Sequence, residues 1–107
     1  MPTIRIDFDE DKVKKKDVLA LSNATQKIVS EATHIEDVFV YANSSQIRVK
    51  IAPIEILVQM SEHKITDFDG LFDKIKSGLS KWKKANNFPY PINFTLIPMK
   101  WKFEIGI

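Results

Sequence analysis

At 107 residues the chain has the length of one domain, and folding at that size buries only about two-thirds of the unfolded surface, so one core completed by other subunits is expected. Lys plus Arg number 16 against 14 for Asp plus Glu, and a net charge of +2 demands no anionic partner. The absence of cysteine excludes disulfides and thiolate metal sites, leaving His34 and His63 as the only imidazoles, so no metal or other cofactor is expected. No apolar run approaches the ~20 residues of a bilayer span, and no apolar core follows a basic start, which reads as a cytoplasmic protein with no membrane partner.

In chain order, Ile4, Ile6 and Phe8 alternate with Thr3, Arg5 and Asp7, the period of a strand with one buried face. The acidic DFDED then leads into a helix over 13–33, in which Val18, Leu21, Thr25, Ile28 and Ala32 form one stripe. Asp9, Glu10 and Asp11 suit the positive end of that helix, and His34 marks its end, where a cation is welcome. DVFVYAN is β-branched and aromatic, and Asn43, Ser44 and Ser45 supply a turn. The alternation of Ile47, Val49 and Ile51 with Arg48 and Lys50 predicts a further short strand.

PIEILVQM alternates again from Pro53, with Leu57 on the otherwise polar side, which suggests a sheet covered on both faces. Thr66 and Asp69 resemble a capping box opening a second helix, striped by Phe68, Leu71, Phe72, Ile75, Leu79 and Trp82 and ended by Asn86, Asn87 and Pro89. Ile92 to Ile97 reads as a strand broken at Pro98, and WKFEI as a short final one. The whole is an α+β chain in which a β-α-β unit occurs twice, headed by PTIRIDF and PIEILVQ, with helices long enough for right-handed crossovers. An internal duplication fits this order.

Pro2, the repeated β-α-β unit, the length and the short carboxy-terminal strand together resemble the tautomerase superfamily, which includes macrophage migration inhibitory factor and 4-oxalocrotonate tautomerase. More narrowly, MPTIRI, APIEILVQ and NFTLIPMKW look like a branch of short bacterial proteins of that fold with no assigned activity. The resemblance implies a four-stranded mixed sheet with two helices on one face plus short extra strands. It also implies a homotrimer around a channel, with an amino-terminal proline in a pocket at each subunit boundary.

The resemblance further implies chemistry. Removal of Met1 would leave Pro2 with a secondary amine, and an apolar pocket or nearby cations would lower its pKa until it can abstract a proton beside a carbonyl at neutral pH. The enolate then needs a cation or hydrogen-bond donor facing its oxygen. 4-Oxalocrotonate tautomerase and its relatives carry an arginine ten residues after the proline, and Lys12 stands at that offset here. A lysine lacks the bidentate grip of arginine, and the family's second arginine falls near Phe39, which counts against the same substrate. Arg5, Arg48 and Asn93 are the other candidate substrate contacts, and the implied ligand is a small keto- or enol-acid.

Each candidate also has a plainer reading. Proline starts strands because it fixes φ and brings no unpaired N–H. Arg5 and Arg48 suit a solvated strand face or an ion pair, Lys12 joins Lys14, Lys15 and Lys16 on a solvated helix face, and Asn93 suits a structural hydrogen bond. Two rival functions follow. One is a trimer with the fold and no chemistry, since retained Met1 would make the Pro2 nitrogen an amide. The other is a ferredoxin-like RNA-binding module, which has the same element order and would use KWKK at 81–84 and KWKF at 100–103. It ranks below the others because Trp82 falls on an apolar helix stripe and +2 is a weak electrostatic footprint.

Overall fold

A computed structural model describes residues 1–107. Strand β1 (Thr3–Phe8) leads through helix α1 (Lys15–Thr33) to β2 (Phe39–Asn43). Strand β3 (Ile54–Ser61) leads through a short 3₁₀ turn (Glu62–Lys64) and α2 (Phe68–Ala85) to β4 (Asn93–Met99). The sheet order is β2-β1-β3-β4, with β1 parallel to β2, β3 parallel to β4, and β1 antiparallel to β3 at the centre. Each helix thus joins two adjacent parallel strands. A ferredoxin-like domain is instead built on the split β-α-β unit, so its topology does not apply.

Alternation in the strands decides which side the helices take. Ile4 faces Val58, Ile6 faces Ile56 and Phe8 faces Ile54, and all six side chains are buried. They join Val18, Leu21 and Val29 of α1 and Ile75 and Leu79 of α2 in one core. The opposite face carries Thr3, Arg5 and Asp7 beside Leu57, Tyr41 and Phe39, and no element of the chain covers it. Leu57 is half-buried there.

Several local expectations need correction. Helix α1 starts at Lys15, and the acids before it do not cap it: Asp9 accepts from the Asp11 N–H at 3.0 Å and closes a turn. The cap of α2 is Asp67, whose carboxylate accepts from the Gly70 N–H at 3.0 Å, in place of Thr66 with Asp69. His34 does end α1, in the left-handed region with φ 57°. Strand β4 runs through Pro98, which an edge strand tolerates because one side of its ladder needs no N–H.

Neither extra strand forms. Because β1 lies between β2 and β3, the connection 44–53 must cross over the end of β1 and cannot lie in the sheet. Ile47 and Val49, read as the buried side of a strand, are 89% and 100% exposed. The WKFEI segment is likewise irregular, held by a Trp101 Nε1–H to Ser61 Oγ hydrogen bond at 2.5 Å.

The two helices meet where α2 carries Gly78: a Cβ there would stand 2.7 Å from Ile28 Cγ2 on α1. Gly78→Ala gains up to about 1 kcal/mol in helix propensity but incurs an overpacking cost of about 1–3 kcal/mol. A lowered melting temperature is therefore expected in thermal denaturation followed by circular dichroism, and a raised one would show that the helices separate freely.

Candidate active site at the head of β1

Antiparallel pairing of β1 with β3 places the start of one beside the end of the other, with Thr3 opposite Gln59. Pro2 is fully buried, and its carbonyl accepts from the Phe39 N–H at 3.3 Å, continuing the ladder to β2. By strand parity it lies on the helix side, with Ile4 and Met60. Having no N–H, it leaves no unpaired donor in that apolar setting.

The same end of the sheet receives the 3₁₀ turn that follows β3. There a cleft of about 220 Å³ opens between the end of α1 and the start of α2, lined by His34, Met60, Lys64, Ile65, Leu71 and Lys74 among others. The Met1 amine is held below its ordinary value of 8.0, first by burial and then by the Lys64 charge, with Asp37 opposing. Its charged form is therefore disfavoured by folding. This contribution to stability is fully present above the unfolded value and falls away as pH drops through the lower folded value.

The candidates from sequence sit elsewhere in the subunit. Five residue steps along β1, about 17 Å at roughly 3.4 Å each, separate its two ends. Lys12 and Arg48 stand at the far end, lining an open polar depression with Asp9, Asp11 and Lys50. Asn93 is also there, donating to Glu55 Oε2 at 3.1 Å. Arg5 is exposed midway along the uncovered face, in a hollow with Asp7, Lys50 and Glu55. Within one subunit none of the four meets Pro2.

Arg48 is already engaged. Its guanidinium donates to Glu10 Oε1 and Asp11 Oδ2, both at 2.7 Å, and to the Ser45 carbonyl at 2.6 Å, with Asp9 at 3.6 Å. The crossing 44–53 passes over the loop that leaves β1, which brings this arginine onto the three acids. The ion-pair reading of Arg48 is the one this geometry fits.

Sequence reasoning missed Lys64 and Asp37. Lys64 had a usable signal: if the first strands of the two β-α-β units pair antiparallel, whatever follows the end of the second must come to lie beside the head of the first. Asp37 precedes β2, and nothing in its neighbourhood distinguishes it.

The RNA alternative loses its topology, and although Phe103 is exposed, both of its tryptophans are engaged within the subunit. Trp82 packs on Phe88 with ring centroids 5.1 Å apart, and the Trp101 indole is tied to Ser61.

No family model matches the sequence, and no curated protein matches it. Solved structures do. The chain is similar to a 5-carboxymethyl-2-hydroxymuconate delta-isomerase, with a TM-score of 0.69 at 10% identity over 100% of this chain and 88% of that one. It is similar to a domain of unknown function, DUF1904, from Sebaldella termitidis, with a TM-score of 0.66 at 14% identity over 100% and 98%. A fused 4-OT, described as a wild-type asymmetric trimer, gives 0.65 at 12% identity over 91% and 85%. At these identities the likeness establishes the fold: an α+β chain with the tautomerase and macrophage migration inhibitory factor architecture.

Because Arg48 ties 44–53 to the β1 loop through partly exposed ion pairs, Arg48→Ala is expected to speed amide hydrogen exchange across 44–52 while lowering global stability by only about 1–2 kcal/mol. Unchanged exchange in that segment would show that the acids do not hold it.

Proposed function

We propose that the protein is a cofactor-independent keto-enol tautomerase acting on a small α-keto or enol acid, with the Pro2 nitrogen, freed by removal of Met1, as general base. The observation that carries this reading is a proline at the head of the central strand of a tautomerase fold, behind a chain-terminal amine whose protonated form burial and the Lys64 charge disfavour. Pro2 takes the proton on the carbon beside the carbonyl, and the C–H electrons form the C=C bond. The carbonyl electrons move onto oxygen, and protonation there completes the enol. The reverse direction returns the proton to carbon. A cation facing the oxygen stabilises the enolate between these steps.

Lys12 and Arg5 enter this reading as residues that a neighbouring subunit brings to the pocket, whereas Arg48 is held by Glu10 and Asp11 and Asn93 by Glu55. The proposed assembly is a homotrimer. Its support is the uncovered sheet face with Phe39, Tyr41 and Leu57, together with the exposed Ile47, Val49, Ile105 and Ile107 on segments that have no strand partner in the subunit. The fused 4-OT of the same fold is an asymmetric trimer. Sedimentation velocity at micromolar concentration should give a trimer, and a stable monomer would contradict the assembly.

A second reading, the fold without chemistry, is favoured by the full burial of Pro2 behind Met1. One experiment separates the two. Untagged protein whose intact mass shows Met1 removed is compared with protein retaining Met1, on phenylpyruvate and 2-hydroxymuconate. The proposal expects turnover only with the free Pro2 amine, and a partial loss for Pro2→Ala, which keeps a primary amine. Equal rates with and without Met1 would leave Pro2 as a strand-starting residue and nothing more.

A further inference from the structure

We propose that the cleft beside the head of β1 is a carboxylate-binding site in which Lys64 and Lys74 hold the acid group of the substrate, so that Lys64 sets substrate specificity from within the same subunit. The inference rests on the Pro2 reading for the identity of the reaction, and on the cleft itself for the ligand. At about 220 Å³ the space is the size of a small organic acid. Its lining combines the apolar Met60, Ile65 and Leu71 with the basic Lys64, Lys74 and His34. Asp67 is the one acid among the lining residues, and its carboxylate is engaged by the Gly70 N–H. Neither lysine has a carboxylate within ion-pair distance. Two ammonium groups without acid partners, beside apolar side chains, fit the carboxylate end and the hydrocarbon part of a short keto acid.

The cations recognised from sequence offer no such place near Pro2. Lys12 and Arg48 share their depression with Asp9 and Asp11, and Asn93 is bonded to Glu55. Lys64 also follows β3 directly, and Met60, on the same strand end, lies on the sheet face that Pro2 shares. The cleft and the reacting nitrogen are thus connected through two adjacent stretches of one chain.

Shared use of Lys64 has a mechanistic consequence. In the empty site its charge acts on the chain-terminal amine together with burial, while Asp37 opposes; His34 and Lys74 line the same cleft as Lys64. Removing Met1 moves the amine by one residue, about 3.8 Å along the chain. A carboxylate bound at Lys64 offsets that charge, so binding strengthens the amine as a base. Base strength then rises only where there is a proton to abstract.

The test uses Met1-free protein and fumarate, which has no enolisable carbon, as probe. Fumarate should shift the NMR signals of residues 32–34 and 64–71 and raise the pKa of the Pro2 amine followed by nitrogen-15 NMR. Lys64→Gln should weaken fumarate binding at least tenfold and abolish the ligand-induced rise, while Lys64→Arg restores part of both and the exposed-helix control Lys81→Gln changes neither. Fumarate shifts centred on residues 12–16, or binding indifferent to Lys64→Gln, would overturn the inference even if the protein tautomerises keto acids. Lys64-dependent binding in a protein without turnover would keep the site and remove the tautomerase reading instead.

Discussion

The central pairing of β1 with β3 is the constraint from which the rest of the structure follows. Its antiparallel register puts Ile4, Ile6 and Phe8 opposite Val58, Ile56 and Ile54, and these six buried side chains form the central sheet side of the core, each Å² of apolar surface they bury contributing roughly 25 cal/mol. Because side chains alternate, the same pairing dictates that Arg5 and Leu57 face the other way. A slip of one residue would exchange the two faces wholesale. Both helices must therefore sit on one side, and each can reach it only by a crossover between neighbouring parallel strands.

That pairing also separates the chain's chemistry into two ends. Pro2, Lys64 and the basic cleft lie where β1 begins and β3 finishes. The acids 9–11, Arg48, Lys12 and Asn93 lie where β1 finishes and β3 begins. At the far end one arginine is engaged by three carboxylates, and the segment carrying it is pinned in place. The near end has lysines without acidic partners. A charge that is unanswered within its own subunit can bind a ligand or a neighbouring molecule without first breaking a contact, and this asymmetry makes the near end the better binding site.

The uncovered sheet face and the two unpaired segments belong to a different level of organisation. Ile47, Val49, Ile105 and Ile107 alternate like strand residues yet project into solvent from irregular backbone. Both helices of the subunit pack on one side of the four-stranded sheet, so the chain leaves the other side without a covering layer. In the proposed trimer those segments would obtain from neighbours the backbone partners that the subunit lacks, and the strand periodicity at 47–51 and 101–105 would then express an assembly rather than a subunit.

Most of the fold was legible along the chain: the alternation in TIRIDF and IEILVQM, the helix stripes apart from buried Val29, which was missed, and Phe68, which is exposed, the helix end at His34 and the doubled β-α-β order all depend on local periodicity, which a linear sequence carries. Pro2 as the residue of interest was legible too, through its position before the first strand. The sequence did not reveal that 46–52 is a crossing rather than a strand, that Arg48 is bound to Asp9, Glu10 and Asp11, or that Lys64 and not Lys12 shares an end with Pro2. Periodicity says which face a residue takes but not which strand lies beside it. Whether two β-α-β units meet through their first strands, head to tail, is decided by long-range burial, and only that meeting brings residue 64 to residue 2 and leaves residue 12 a strand's length away.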